Sequence, residues 1–242
     1  CEGWHDMGPK DRVLHAGDFN WSYTLGVGLM DPWVVGGTAL IFHGEKSPAL
    51  WPELIETHTV SIFAAVLGVY RQILKYGQGN KQQFAIVRHG LSAGEALPKA
   101  LHDQWQQETG CKLYEAMGQS EISTYVSTAP GLDVPVGAKG RIQRGRNIII
   151  LPNQVDQASL IPCKPNEQGL IAIHKSDPGL MLGYWHEEKE VSSSFRGEWF
   201  LTGDLGSIDE YENLTHYGRA DEIMNASGYR GSPYEVEKAL LE

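Results

Sequence analysis

Cysteine is scarce: Cys1, Cys111 and Cys163 are the only three in 242 residues, far apart and odd in number. They form neither a disulfide framework nor a CxxC metal pair. Basic residues are in deficit, with 20 Lys and Arg against 30 Asp and Glu, giving a formal net charge of −10. That balance argues against a nucleic-acid binder and against polybasic anchoring to anionic lipid. No run approaches the roughly 18 apolar residues of a membrane-spanning helix, and no signal-peptide pattern opens the chain. The nine His are scattered without an HxxxH or HxH pair, so a metal cluster is not indicated. Gly26-Val27-Gly28 lacks the third glycine of a dinucleotide fingerprint, and there is no Gly-x-Ser-x-Gly nucleophile elbow. What is present is ordinary: 41% hydrophobic and 21% charged residues, enough to bury a core. Twenty-eight Gly and 12 Pro disfavour a helical bundle. The expectation is a cytoplasmic globular protein of one large or two smaller domains.

The ends of the chain read as cut. It opens on Cys1 rather than Met. Near the other end, Ser232-Pro233-Tyr234-Glu235 combines an N-cap, a proline at the first helical position and a capping-box Glu. Val236, Ala239 and Leu240 begin an apolar stripe there, and the sequence stops at Glu242, so a fragment is expected.

The first part alternates helix and strand signals. Pro52 to His58 reads as a helix, Ser61 to Val66 as a strand, Val69 to Tyr76 as a helix and Ala85 to Val87 as a strand. A further helix begins near Pro98, carries Leu101 and Trp105 at i,i+4 and stops at Gly110, before the strand Lys112 to Ala116. Such alternation predicts a largely parallel sheet with flanking helices. After about residue 130, short apolar runs (Asn147 to Leu151, Leu170 to His174, Trp199 to Thr202) are separated by turn residues, which predicts a β-rich subdomain. Residues 218–231 read as a polar linker. The expected division is an α/β subdomain over 1–130, a β-rich, distorted-barrel subdomain over 131–219, and from 220 to 242 a hinge and the start of a small α+β domain.

In open α/β sheets, ligands bind in loops beyond the carboxyl ends of the strands. Two segments are expected there: Ser92-Ala93-Gly94-Glu95-Ala96-Leu97-Pro98 and Met117-Gly118-Gln119-Ser120-Glu121. A small-residue turn with a hydroxyl and a carboxylate can offer backbone N–H groups to phosphate and an oxygen to a hard cation. Each alone also reads as a plain strand-to-helix loop. Thr202-Gly203-Asp204 sets an acid after a β run, where it can accept from ribose hydroxyls. Arg219 and Arg230 bracket a Gly-containing turn and suit an anionic ligand, although each equally suits a surface ion pair. Asn20-Trp21-Ser22-Tyr23 reads either as pocket lining or as core packing of Trp21.

In this order the segments resemble the adenylate-forming superfamily of acyl-CoA synthetases, luciferases and peptide-synthetase adenylation domains. Met117-Gly118-Gln119-Ser120-Glu121 is similar to the family's aromatic-Gly-x-Thr-Glu motif, and Thr202-Gly203-Asp204 to its Thr-Gly-Asp. Gly218-Arg219-Ala220-Asp221, continuing to Gly228-Tyr229-Arg230 and Glu235-Val236-Glu237, resembles its hinge motif. Ser227-Gly228-Tyr229-Arg230 and Gly118 look most like medium-chain and aryl acyl-CoA synthetases.

The resemblance implies a two-step ligase using ATP, Mg²⁺ and CoA. It implies that Gly94, Glu95 and Ala96 line the adenine and ribose site, that Ser120 bonds phosphate and that Glu121 binds Mg²⁺. It gives Asp204 the ribose hydroxyls, Arg219 and Arg230 the nucleotide, Asp221 the hinge, and Ser227 with Gly228 the border of the pantetheine path. Gly118 leaves room for an acyl group larger than acetate. Met117 stands where the family has an aromatic residue against adenine, which loses ring stacking, and Ser120 replaces the commoner Thr. The family's Ser/Thr/Gly-rich phosphate loop and its C-terminal lysine have no counterpart in residues 1–242, so the resemblance implies that the chain alone is inactive. A non-catalytic nucleotide- or acyl-binding homologue and a carrier-protein-loading adenylation domain are the alternatives.

Overall fold

The computed structural model describes residues 3–77, 79, 81–135, 137–153, 160–186, 194–221, 224–226, 229–231 and 240. The chain divides into two compact units, Cys1–Gly118 with Ser127–Leu132, and Gln119–Val126 with Asp133–Glu242.

The first unit is an α/β layer structure. Its strands are β1 (Arg12–His15), β2 (Thr38–Leu40), β3 (Ile62–Ala64), β4 (His89–Ala93) and β5 (Lys112–Gln119). They lie in the order β2-β1-β3-β4-β5, and every adjacent pair is parallel. Helices α1 (Ser22–Leu25) and α2 (Asp31–Val34) flank a π-helical turn at Gly26–Met30. Helices α3 (Leu50–Thr57), α4 (Leu67–Tyr76), α5 (Lys81–Phe84) and α6 (Lys99–Thr109) supply the rest of the cover. β3 is fully buried along its length, as a central parallel strand with both faces covered must be. Phe63 points into a cluster with Trp51, Tyr70 and Trp105, whereas Ile62 and Ala64 point into another with Trp4, Tyr23, Val27 and Leu91. α6 has the expected mechanics. Pro98 precedes it, Leu101, Trp105 and Thr109 form its buried stripe, and Gly110 ends it in the left-handed region at φ +77°.

Two expectations about this unit are corrected. Ala85 to Val87 is not a strand; the strand is β4, with Ser92 and Ala93 as its last residues rather than part of the following loop. Its polar composition hid it. Gly90 belongs in this central strand because a Cβ there would fall 2.4 Å from Leu113 Cδ2 and 3.0 Å from the Tyr70 hydroxyl. Likewise Met117, Gly118 and Gln119 continue β5 instead of following it as a loop.

The second unit is antiparallel where its pairings are described. Its strands are β6 (Ser123–Ser127), β7 (Gly140–Ile142), β8 (Ile148–Leu151), β9 (Gly169–His174), β10 (Phe195–Arg196), β11 (Trp199–Ile208) and β12 (Asn213–Arg219). The order is β6-β7-β12-β11-β9-β8, with β10 pairing β11. The segment read as a linker contains a separate hairpin of β13 (Met224–Ala226) and β14 (Tyr229–Gly231). Ser227, Gly228 and the capped helix expected from Ser232 lie outside the described residues. Among the described residues no helix is long and apolar enough to cross a membrane.

Candidate active site

β11 carries the centre of the site because it breaks register. Against β9, Leu201 pairs Ala172 and Leu205 pairs Leu170. The step from 201 to 205 therefore matches a step of only two on the partner strand, leaving two extra residues in β11. Thr202-Gly203-Asp204 occupies this bulge, a device that re-aims side chains. The Thr202 hydroxyl donates to the Ile171 carbonyl at 3.0 Å and accepts the Asp204 N–H at 3.1 Å. Gly203 is left-handed at φ +78°, and a Cβ there would lie 2.7 Å from Arg219 Nη2. Glycine thus lets the guanidinium lie on the backbone.

Asp204 is 5% exposed. Its Oδ2 accepts from Gln119 Nε2 at 2.6 Å, and its Oδ1 faces His216 Nε2 at 3.4 Å and Arg219 Nη1 at 3.9 Å. Gln119 Nε2 also reaches the Thr202 carbonyl at 2.9 Å. Arg219 donates Nη1 to that carbonyl at 3.1 Å and directs Nε and Nη2 at the two oxygens of Asp221. The guanidinium holds the exposed Asp221 carboxyl below its ordinary range. Tyr125 is fully buried, and its hydroxyl has no hydrogen-bond partner among the described residues. Burial first, and then the Asp204 charge, push that phenol well above its ordinary value.

After β5 the chain turns at Ser120-Glu121-Ile122, closed by the Ile122 N–H on the Gln119 carbonyl at 3.2 Å. Ser120 is exposed and Glu121 half-buried. Glu121 Oε1 accepts the Tyr184 hydroxyl at 2.8 Å. Gln119, Glu121, Tyr184, Thr202, Gly203 and Arg219 share the wall of a cavity of about 350 Å³. Asp204 sits beside this wall, joined to it through Gln119.

Among the described residues no group of three His, Cys, Asp or Glu could hold a metal ion. Glu121 is the one carboxylate among the described residues that line the cavity. That fits Mg²⁺ arriving on substrate phosphates, which commonly needs only one or two protein carboxylates.

The other sequence candidates are placed as follows. In the first unit, Gly94 is left-handed at φ +95° with the Trp21 ring beside it, and Gly94, Glu95 and Ala96 are exposed. Trp21 is itself 38% exposed, and Tyr23 takes the core position, donating its hydroxyl to the Leu91 carbonyl. Met117 is half-buried and Gly118 exposed. Arg230 lies in β14, paired with Asn225. Nothing in the sequence singles out Tyr184, His216 or Tyr125. None sits in a local motif, and Tyr184 meets Glu121 across 63 residues.

The cavity in the second unit carries one carboxylate, Glu121, and one guanidinium, Arg219, among its described lining residues. The chain belongs to the AMP-binding enzyme family, whose model matches residues 1–185. It is 32% identical over 234 residues to 3-hydroxybenzoate–CoA ligase of Aromatoleum sp. (strain CIB), covering 96% of this chain and 43% of the relative. It is 31% identical to the mitochondrial acyl-coenzyme A synthetase ACSM1 of Mus musculus, covering 100% of this chain and 42% of the relative. The chain thus spans less than half the length of these curated relatives. Among solved structures it resembles the anthranilate CoA ligase AuaEII in complex with anthranoyl-AMP, with TM-score 0.82 and 26% identity over 97% of this chain and 44% of that one. It also resembles O-succinylbenzoate coenzyme A synthetase (MenE) from Bacillus subtilis in complex with ATP and magnesium ion, with TM-score 0.81 and 25% identity over 98% of this chain and 47% of that one.

Proposed function

We propose that the chain forms a nucleotide-handling segment of an AMP-forming acyl-CoA ligase acting on a medium-chain or aromatic carboxylate. In the first step the carboxylate oxygen attacks the α-phosphorus of ATP, and pyrophosphate leaves. In the second, the CoA sulfur attacks the acyl carbon as its thiol proton passes to solvent, the acyl–oxygen bond breaks, and AMP leaves with the bonding electrons. The observation that carries this reading is the shared wall of Glu121, Gln119 and Arg219, with buried Asp204 hydrogen-bonded to Gln119.

Within it, Ser120 donates to a phosphate oxygen and Glu121 holds Mg²⁺, which offsets negative charge on the phosphates. Arg219 contacts the nucleotide. Asp204 accepts from ribose hydroxyls with the lone pairs left beside Gln119 and His216. Gly94, Glu95 and Ala96 contact the purine. Met117 and Gly118 shape the room for base and acyl group, Arg230 contacts the nucleotide, and Asp221 is the hinge. Ser227 and Gly228 border the path of the CoA thiol. The likeness to a 3-hydroxybenzoate–CoA ligase and an acyl-coenzyme A synthetase supports this substrate class.

The test is pyrophosphate exchange by the complete gene product that contains residues 1–242, screened over medium-chain and aromatic carboxylates. Substrate-dependent exchange followed by thioester formation with CoA is expected. Absence of exchange with every acid, in folded protein that binds ATP, sinks the ligase reading.

A further inference from the structure

Glu121 is gripped twice by one segment distant in sequence. The Met181 N–H donates to the Glu121 carbonyl at 2.6 Å, and the Tyr184 hydroxyl donates to its Oε1 at 2.8 Å. The segment is anchored in turn. The Asp177 side chain is fully buried and ion-paired to Arg146 Nη1 at 2.7 Å, and it accepts the N–H groups of Asn147 and Gly179 at 3.0 and 2.9 Å. Arg146 Nη2 continues to the Thr124 carbonyl at 2.5 Å, on the strand that leaves the Glu121 turn. Gly179 is close-fitting: a Cβ there would fall 1.9 Å from Arg146 Nη1 and 2.9 Å from the Ile122 carbonyl. The turn and the segment are thus built against each other.

A glutamate on a tight turn has rotamer freedom to lose before it can hold a cation. A hydroxyl fixed on one carboxylate oxygen removes that freedom and leaves the other oxygen to coordinate. Partners of this kind, one shell beyond the metal, typically change metal affinity 10–100-fold when removed. No described residue donates to Glu121 Oε2, and both Glu121 and Tyr184 line the cavity.

We propose that Tyr184 is a positioning residue for Glu121: its hydroxyl holds Oε1 so that Oε2 faces the divalent cation carried by the nucleotide. This rests on the reading of Glu121 as the cation ligand, and the experiment separates the two. ATP affinity is measured by calorimetry on the protein with excess Mg²⁺ and again with EDTA, and the ratio of the two affinities is the readout. Tyr184→Phe keeps the ring and removes only the hydroxyl. It is expected to lower the ratio about 10-fold while leaving the EDTA affinity and the melting temperature near the parent values. Glu121→Gln is expected to abolish most of the metal dependence. If Glu121→Gln collapses the ratio and Tyr184→Phe does not, the positioning role is wrong and the ligand assignment stands. If Tyr184→Phe lowers both affinities equally, the hydroxyl acts independently of the cation and the proposal falls. If Glu121→Gln leaves the ratio unchanged, the cation reading fails and the proposal goes with it.

Discussion

His15 should make the first unit sensitive to acid. The residue ends β1 at 3% exposure. Its Nδ1 accepts the Gly17 N–H at 2.9 Å, which fixes the neutral tautomer with the proton on Nε2. Gly17 and Gly28 close in on the ring and its stem: Cβ atoms there would fall 2.9 Å from His15 Cε1 and 2.7 Å from His15 Cβ. Burial first, and the Lys46 charge second, lower its pKa to about 3. The folded value therefore lies below the unfolded value of about 6.5. Between these values the unfolded chain binds more protons, so stability is full above about pH 6.5 and is lost as pH falls toward 3. Worked at pH 5, the loss from this one group is about 2 kcal/mol relative to pH 7.5. The perturbation is His15→Asn, which retains an acceptor for the Gly17 N–H and cannot titrate. Urea unfolding followed by circular dichroism at pH 7.5 and 5.0 gives the loss for each protein. The parent should lose about 2 kcal/mol more than the variant. His5 and His89, also lowered by burial, contribute a slope common to both proteins. Equal losses in the two proteins would refute the argument.

Gly203→Ala should destabilise by about 1–2 kcal/mol, because it imposes a left-handed alanine and crowds Arg219; an unchanged urea midpoint would contradict this. Asp204→Ala removes a charged acceptor and should weaken ATP binding by about 1.5–3 kcal/mol, measured by calorimetry in protein shown to be folded. Asp177→Ala strands the half-buried Arg146 charge and should cost about 3–5 kcal/mol of stability. A loss below about 1 kcal/mol, the level of an exposed ion pair, would mean that the pair anchors nothing.

The legible parts of the fold were those whose signals are local. α6 declared itself by Pro98, the Leu101/Trp105 spacing and Gly110, and β9 by an unbroken apolar run. β1 and β2 are too short, at four and three residues, for a periodic pattern to stand out. β4 is not legible from composition because its place in the sheet comes from Leu113 and Tyr70 filling the space over Gly90, a fact of packing. At the site, motif order pointed to Gln119, Glu121, Asp204 and Arg219, and the structure gathers these four. His216 and Tyr184 entered only through three-dimensional pairing, His216 across the β11–β12 hairpin and Tyr184 from a distant loop.

The excess in β11 over β9 is an even number of residues, and evenness matters in a structure whose side chains alternate with period two. Leu201 and Leu205 return to the same face on either side of the excursion, so the interior of the sheet does not register that anything was added. A single extra or missing residue would instead turn the rest of the strand inside out against that neighbour. Against β12 the same stretch stays in the ladder, with Asp204 paired to Arg219, so Thr202-Gly203-Asp204 is an insertion toward one neighbour only. Phe200 and Leu205 stay buried on either side of it, and the Thr202 hydroxyl ties the insertion back to β9 through the Ile171 carbonyl.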